Sequence, residues 1–168
     1  MRNIAAAPAL IVNDICQLNN MSLIKIEYPF YEPVIKKKDG IEFIFDAYRK
    51  KWVVLTPEEW VRQNFMEYLV NVLGYPATLI AIEKEIYIGK VKKRFDIVVY
   101  NRQALPFIVV ECKEMKVALD EKVLQQALRY NTTLQAKMII ITNGKHCFAF
   151  KRVGNNFVAL EQLPFFER

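Results

Sequence analysis

The sequence predicts an α/β domain with the element order αβββαβ: a helix, three strands, a second helix and a further strand around a mixed central sheet. Three observations carry this. A capped amphipathic stretch begins at Thr56 and is followed by three strand-like apolar runs. A second amphipathic stretch begins at Asp120. After it, the run from Lys137 to Thr142 is almost purely aliphatic, as suits a strand buried on both faces. Such alternation of helical and strand patterns is the signature of layered α/β packing.

The elements follow in order. Residues 1–22 read as a tail outside the fold, with Met21 a candidate true start, and residues 23–168 as one domain whose first part, 23–55, is a β-rich lead-in. In that lead-in Ile41, Phe43 and Phe45 share one face, and Asp39-Gly40 is a hairpin turn. Thr56 caps the first helix, with Pro57 at its first position and Glu58 and Glu59 in its first turn. Thr56 and Glu59 also have capping-box spacing. The helix is expected to bury Val61, Phe65, Leu69 and Val72, reaching about Leu73 before Gly74 and Pro76 stop it. Strands are expected over Leu79 to Ile88, Phe95 to Tyr100 and Phe107 to Lys113. The second helix, Asp120 to about Leu134, would bury Val123, Leu124, Ala127, Leu128 and Leu134. Asn143-Gly144 turns the chain into a strand near Cys147 to Arg152, and Gly154-Asn155-Asn156 turns it back into Phe157 to Leu160, a C-terminal hairpin.

Composition narrows the function classes. With 168 residues, 53% hydrophobic and 25% charged, the chain has the size and make-up of one globular domain. No apolar run approaches the roughly 20 residues that span a bilayer, so no membrane is expected. The stretch Ile4 to Val12 is a poor secretory signal, and the protein reads as cytoplasmic. A net charge of +6 and a pI of about 9.2 favour an anionic partner. The three cysteines, Cys16, Cys112 and Cys147, are too far apart for a C-x2-C zinc pattern. A single histidine, His146, leaves little for a zinc site or a catalytic triad and reads as a turn residue. Trp52 and Trp60 read as packing residues.

Two charges sit where a core strand should be apolar. Phe107-Ile108-Val109-Val110 runs directly into Glu111-Cys112-Lys113, and strand alternation sends Glu111 and Lys113 to one face and Cys112 to the other. If residues 101–106 turn the chain, Asp96 lies roughly opposite Glu111, and opposed Cβ atoms are about 4.5–5.5 Å apart. Carboxylates that close repel unless a cation lies between them or one is protonated. Magnesium takes a few carboxylate oxygens together with waters and phosphate oxygens. Lys113 can orient or help deprotonate an attacking water and offset charge on a phosphate. An isolated Glu-x-Lys ordinarily marks only a solvated strand end. Here the buried-looking flanks, the preceding aspartate and the following helix and strand count against that.

Asp96 and Glu111-Cys112-Lys113 within αβββαβ resemble the PD-(D/E)XK nuclease superfamily. More narrowly, the chain resembles the N-terminal nuclease domain of type I restriction enzyme R subunits, also found in short stand-alone proteins. The matching residues are Leu55 to Gln63, Arg94 to Tyr100, Val109 to Lys113, Gln125-Gln126 with Tyr130, and Thr142-Asn143-Gly144. The resemblance covers about Trp52 to Phe150. It implies a restriction-endonuclease-like fold and a magnesium-dependent DNA endonuclease, with manganese as a substitute ion. It implies metal ligation by Asp96 and Glu111, with the Cys112 backbone carbonyl close enough to join them. Lys113 is then catalytic, with Gln126 and Tyr130 as a Gln-x-x-x-Tyr motif.

Other residues are weighed beside this set. Glu59 is a candidate extra ligand, although capping alone would explain it. Arg62, one turn later, can hold that carboxylate or a phosphate. Lys90, Lys92, Lys93 and Arg94 enter the Asp96 strand and are candidate DNA contacts, although such runs are commonly solvated surface. No G-x-x-x-x-G-K-S/T loop occurs, so ATP-driven translocation is not expected of these residues. Target selection would then come from a motor or specificity subunit, or from a homodimer. The alternative function is a non-catalytic nucleic-acid-binding or assembly subunit that retains the fold.

Overall fold

The computed structural model describes residues 23–88, 91–120, 122–125, 135–154 and 156–167. The chain opens with a short strand, β1 (Ile24–Lys25), and then an antiparallel sheet of β2 (Ile35–Lys38), β3 (Ile41–Asp46) and β4 (Lys51–Val54). The turn between β2 and β3 is the predicted Asp39-Gly40. Both residues take positive φ, +50° and +80°, the geometry that matches a two-residue turn to strand twist. One face of this small sheet is held against the rest of the domain, with Ile44 and Asp46 almost fully buried.

Helix α1 (Pro57–Glu67) starts as the sequence predicts: the Thr56 hydroxyl accepts the Glu59 N–H at 3.0 Å. It ends differently. Tyr68–Val72 forms a π turn in which the Leu73 N–H reaches the Tyr68 carbonyl, five residues back. The wider turn rotates the following side chains out of phase. Leu69 stays buried, whereas Val72, expected in the core, is exposed.

After a single 3-10 turn, Ala77–Leu79, come β5 (Ile80–Ile88), β6 (Val91–Tyr100), β7 (Pro106–Cys112), β8 (Met138–Thr142), β9 (His146–Val153) and β10 (Asn156–Ala159). They form a seven-stranded sheet ordered β1-β9-β8-β7-β6-β5, with β10 also on β9. Every pairing is antiparallel except β7 with β8. That parallel step requires a crossover, which residues 113–137 supply. Within it residues 122–125 are helical. Of the predicted second helix, Val123 and Leu124 are described and pack toward the sheet, while Ala127, Leu128 and Leu134 lie outside the described residues. The result is a mixed α/β domain with a mostly antiparallel sheet.

The sheet has a core on each side. Val61, Phe65 and Leu69 of the α1 segment cover Ile97, Val99, Ile108, Val110 and Cys112. On the other side Ile139 and Ile141 pack with Leu124, Phe148 and Phe150, and Val98 and Val109 with Phe95. Two of the boundary differences from the sequence expectation bear on the site. Strand β6 begins at Val91 rather than Phe95, because Lys92 and Arg94 find partners on β5 and can remain in the ladder. Strand β7 ends at Cys112, one residue before Lys113. Among the described residues no helix is long and apolar enough to cross a membrane.

Candidate functional site

Where β6 and β7 part, Asp96 and Glu111 come close enough for the charge of Glu111 to act on Asp96. The ladder pairs Ile97 with Val110 and Val98 with Val109, so one further step sets Asp96 opposite Glu111. Strand alternation also slips at this point. Phe95 and Val98, three residues apart, pack in one cluster. Opposite them on β5, Glu83 takes a positive φ of +52° and drops out of a ladder that pairs Ile82 with Ile97 and Lys84 with Phe95. The count of residues stays equal on the two strands, so this is a local break in pairing at Glu83 rather than an inserted residue. Beside it Asp96 lies within reach of α1, where an Arg62 guanidinium nitrogen donates to its Oδ1 at 3.3 Å.

The other Asp96 oxygen accepts the Cys112 N–H at 2.8 Å. A strand residue directs its N–H and its C=O toward the same neighbour, so the Cys112 carbonyl opens on the same edge. The Cys112 side chain is fully buried on the α1 side, and burial raises its thiol well above the ordinary range. Glu111 and Lys113 share a face, as alternation predicts, with Lys113 Nζ 2.9 Å from Glu111 Oε1.

Burial pushes the Asp96 carboxyl up to about 6, and the neighbouring Glu111 charge adds to that; the Cys112 N–H and Arg62 pull it back. For Lys113, burial acts downward, but the hydrogen bond and charge of Glu111, with Glu58 and Asp96, outweigh it and the ammonium is held above its usual range. The Asp96 shift has a sign that can be measured. Between about pH 4 and 6 the folded protein holds a proton on Asp96 that the unfolded chain releases. The stability from this group is therefore complete below pH 4 and is lost as pH rises through 6. In urea unfolding with chelator present, Asp96→Asn should gain stability relative to wild type over that window. A difference that stays constant from pH 4 to 7 would remove Asp96 from the titration.

Glu59 is not simply a capping residue. Although its N–H meets Thr56, its carboxylate is buried and held by Arg49, Arg62 and Gln63, with Gln63 Nε2 at 2.8 Å. Arg62 is nearly buried and bridges Glu59, Asp96 and Glu83, and its Nε has no hydrogen-bond partner among the described groups. Sequence reading missed three members of this network. Arg49, in the turn between β3 and β4, grips Asp46, Glu59 and Glu83 at once. Only Glu83, a carboxylate interrupting Ile80-Ala81-Ile82, left a trace in the sequence. Nothing local marks Asp46 or Arg49.

Of the predicted DNA contacts, Lys92 is exposed and 2.8 Å from Glu85, and Arg94 lies 3.6 Å from Glu83. Part of that basic charge is thus offset within the β5–β6 hairpin. Lys90 lies outside the described residues, as does the Lys93 side chain, and so do Gln126 and Tyr130. The Thr142-Asn143-Gly144 turn abuts α1: Gly144 has φ +85°, and a Cβ there would lie 3.0 Å from Val61. A cleft of about 620 Å³, lined by Tyr100, Arg102, Phe107, Lys151 and Phe166, lies at the opposite ends of β6 and β7 and contains none of these site residues.

The chain belongs to the type I restriction enzyme R protein N-terminal family, whose model matches residues 57–164. Among solved structures it is similar to a fragment described as an HsdR subunit of a type I restriction enzyme from Vibrio vulnificus, with a TM-score of 0.50 and 22% identity. That match covers 66% of this chain and 24% of the other, so the likeness is one of fold and this chain spans about a quarter of that protein fragment. No curated protein matches.

Proposed function

We propose that this chain is a magnesium-dependent DNA endonuclease domain of restriction, defence or repair type, with manganese as a substitute ion. One observation carries the reading: Asp96 stands opposite Glu111 with Lys113 on the Glu111 face, and the Asp96 carboxyl is raised to about 6 by burial and by Glu111. Arg62 and Lys113 each offset one of these charges, and a divalent ion shared by both carboxylates would offset the rest. Among the described residues no group of three or more His, Cys, Asp or Glu side chains gathers as a metal cage. Two carboxylates, completed by a backbone carbonyl, waters and substrate phosphate, suit magnesium, which seldom sits in an all-protein cage. Asp96 and Glu111 would hold it, joined by the Cys112 carbonyl. The chemistry supplied by a bound ion is polarisation of the phosphate and acidification of a water.

The chain's own groups do the rest. In the hydrolysis, water oxygen forms a new bond to phosphorus and gives up a proton to solvent, the bond to the departing ester oxygen breaks, and that oxygen takes up a proton from solvent. Lys113 orients or helps deprotonate the water and offsets the charge that grows on the phosphate oxygens. Arg62 fixes Asp96 and Glu59 with respect to each other. Gln126 and Tyr130 would meet the DNA backbone or the lysine, and Lys90, Lys92, Lys93 and Arg94 the phosphates flanking the cut. Target selection would come from partners on the DNA: a motor or specificity subunit, or a second copy.

The direct test is nicking of supercoiled plasmid in magnesium, in manganese and in chelator, with Glu111→Ala as control. Nicked or linear plasmid with either metal, absent in chelator and with the control, is the expected result. Plasmid untouched by a folded, metal-loaded protein would overturn the enzymatic reading in favour of a binding subunit.

A further inference from the structure

The small sheet β2-β3-β4 has one face turned away from the domain. The register decides which side chains stand there: Lys36 pairs with Phe43, Lys38 with Ile41, Phe43 with Val54, and Phe45 with Trp52. Directly paired residues share a face, so these stand together, opposite the buried Ile44 and Asp46. Ile41 is 49% exposed, Val54 47% and Trp52 37%. Large apolar side chains at that exposure, gathered on one sheet face, mark an interaction surface. The Trp52 and Phe45 rings meet edge to face with centroids 5.4 Å apart, and Lys36 Nζ lies 3.9 Å over the Trp52 ring.

Charge selects the occupant. The strand positions of this face carry Lys36 and Lys38 and no carboxylate, whereas Lys37 and Lys51 pair with Glu42 and Asp46 on the other face. A second copy docked face to face would set Lys36 and Lys38 against themselves. A partner carrying regular negative charge and flat apolar faces satisfies both halves of the surface, and unpaired nucleic acid has that chemistry: phosphates for the lysines and bases for the rings. A duplex keeps its base faces stacked inside, where Trp52 cannot reach them.

We infer that the outward face of this three-stranded sheet binds a single DNA strand, with a base on Trp52 and the backbone along Lys36 and Lys38. The inference rests on the nuclease reading for its choice of DNA. The opposite side of the same sheet supplies Asp46, and the β3–β4 turn supplies Arg49, which grips Glu59 and Glu83. Both of those carboxylates share Arg62 with Asp96. A strand held here is therefore fixed in position relative to the candidate cleavage site, and the sheet acts as a guide for an unpaired strand next to it.

The test is anisotropy of a short fluorescein-labelled oligothymidylate, in chelator so that no cleavage intervenes, across a range of salt. Trp52→Ala should weaken binding roughly 5- to 150-fold, the effect of one lost base stack, and Trp52→Phe should keep most of it. The exposed double variant Lys36→Gln/Lys38→Gln changes no core packing. It should flatten the slope of log affinity against log salt by about 1.4 units, from about 0.7 per phosphate contact on a single strand. Wild-type affinity and slope in both variants would overturn the inference. So would a mass shift on light scattering that Trp52→Ala abolishes without changing oligonucleotide affinity, since the face would then meet a second copy. Plasmid nicking reads out separately. Oligonucleotide binding without nicking sinks only the cleavage reading, and nicking with variants indifferent to the oligonucleotide sinks only this one.

Discussion

Lys113→Ala is expected to reduce magnesium-dependent cleavage by about a hundredfold or more while leaving the fold and most DNA affinity in place. Removing one positioned group that meets charge in the transition state has an effect of that order. The side chain is about one-fifth exposed and its ion pair with Glu111 reaches solvent, so its loss opens no cavity in the core. An unshifted melting temperature together with retained binding would place the loss in the chemical step. If binding and cleavage fall together, the lysine anchors the backbone instead. Full activity would remove it from the mechanism. Lys113→Arg separates the roles further, because the larger planar guanidinium keeps the charge but not the position of the ammonium.

The largest effect on stability is expected from Arg49→Ala. Arg49 stands among three carboxylates, of which Asp46 and Glu59 are almost entirely buried, with side-chain exposures of 2% and 4%. Deleting the cation leaves Asp46 with the Tyr48 and Arg49 backbone N–H groups alone and Glu59 with Arg62 and Gln63. Breaking a buried pair from one side costs about 3–5 kcal/mol. For a domain of this size that corresponds to a fall in melting temperature of about 10 °C or more. Arg49→Lys should recover only part, since one ammonium cannot span carboxylates from β3, α1 and β5. Adding Asp46→Asn and Glu59→Gln to Arg49→Ala should restore much of the loss by neutralising the stranded groups. A melting temperature within about 2 °C of wild type for Arg49→Ala would show that the network relaxes or takes up water. It would also detach the three-stranded sheet from the argument that it is fixed relative to Asp96.

Much of this was legible before the structure. The capping of α1 by Thr56, the Asp39-Gly40 hairpin, the three consecutive strands and the buried aliphatic β8 each follow from local rules: a side-chain oxygen for an orphan N–H, two positive-φ residues, period-two alternation, an unbroken apolar run. The placing of Glu111 and Lys113 on one face needed only the alternation of a strand. The misjudged details have local causes of another kind. Val72 was put in the core because periodicity assumes an α-helix to the end, and a π turn changes the phase. The basic residues Lys92 and Arg94 were put ahead of the strand because their partners Glu85 and Glu83 lie on a different one.

By itself, then, the sequence determined the capped first helix, the strands that follow it and the sharing of one face by Glu111 and Lys113, because these depend on spacing along the chain. Only the tertiary structure decided what surrounds them. The break in the β5–β6 ladder at Glu83 arises between two strands, and beside it Asp96 lies within reach of Arg62. Glu59 passes from helix cap to buried ion pair because Arg49 arrives from a turn ten residues earlier. The open aromatic face beside Lys36 exists because Ile44 and Asp46, on the other face of that sheet, are taken into the domain. Burial and charge pairing depend on distance in space. Residues far apart along the chain set them, and no local pattern records it.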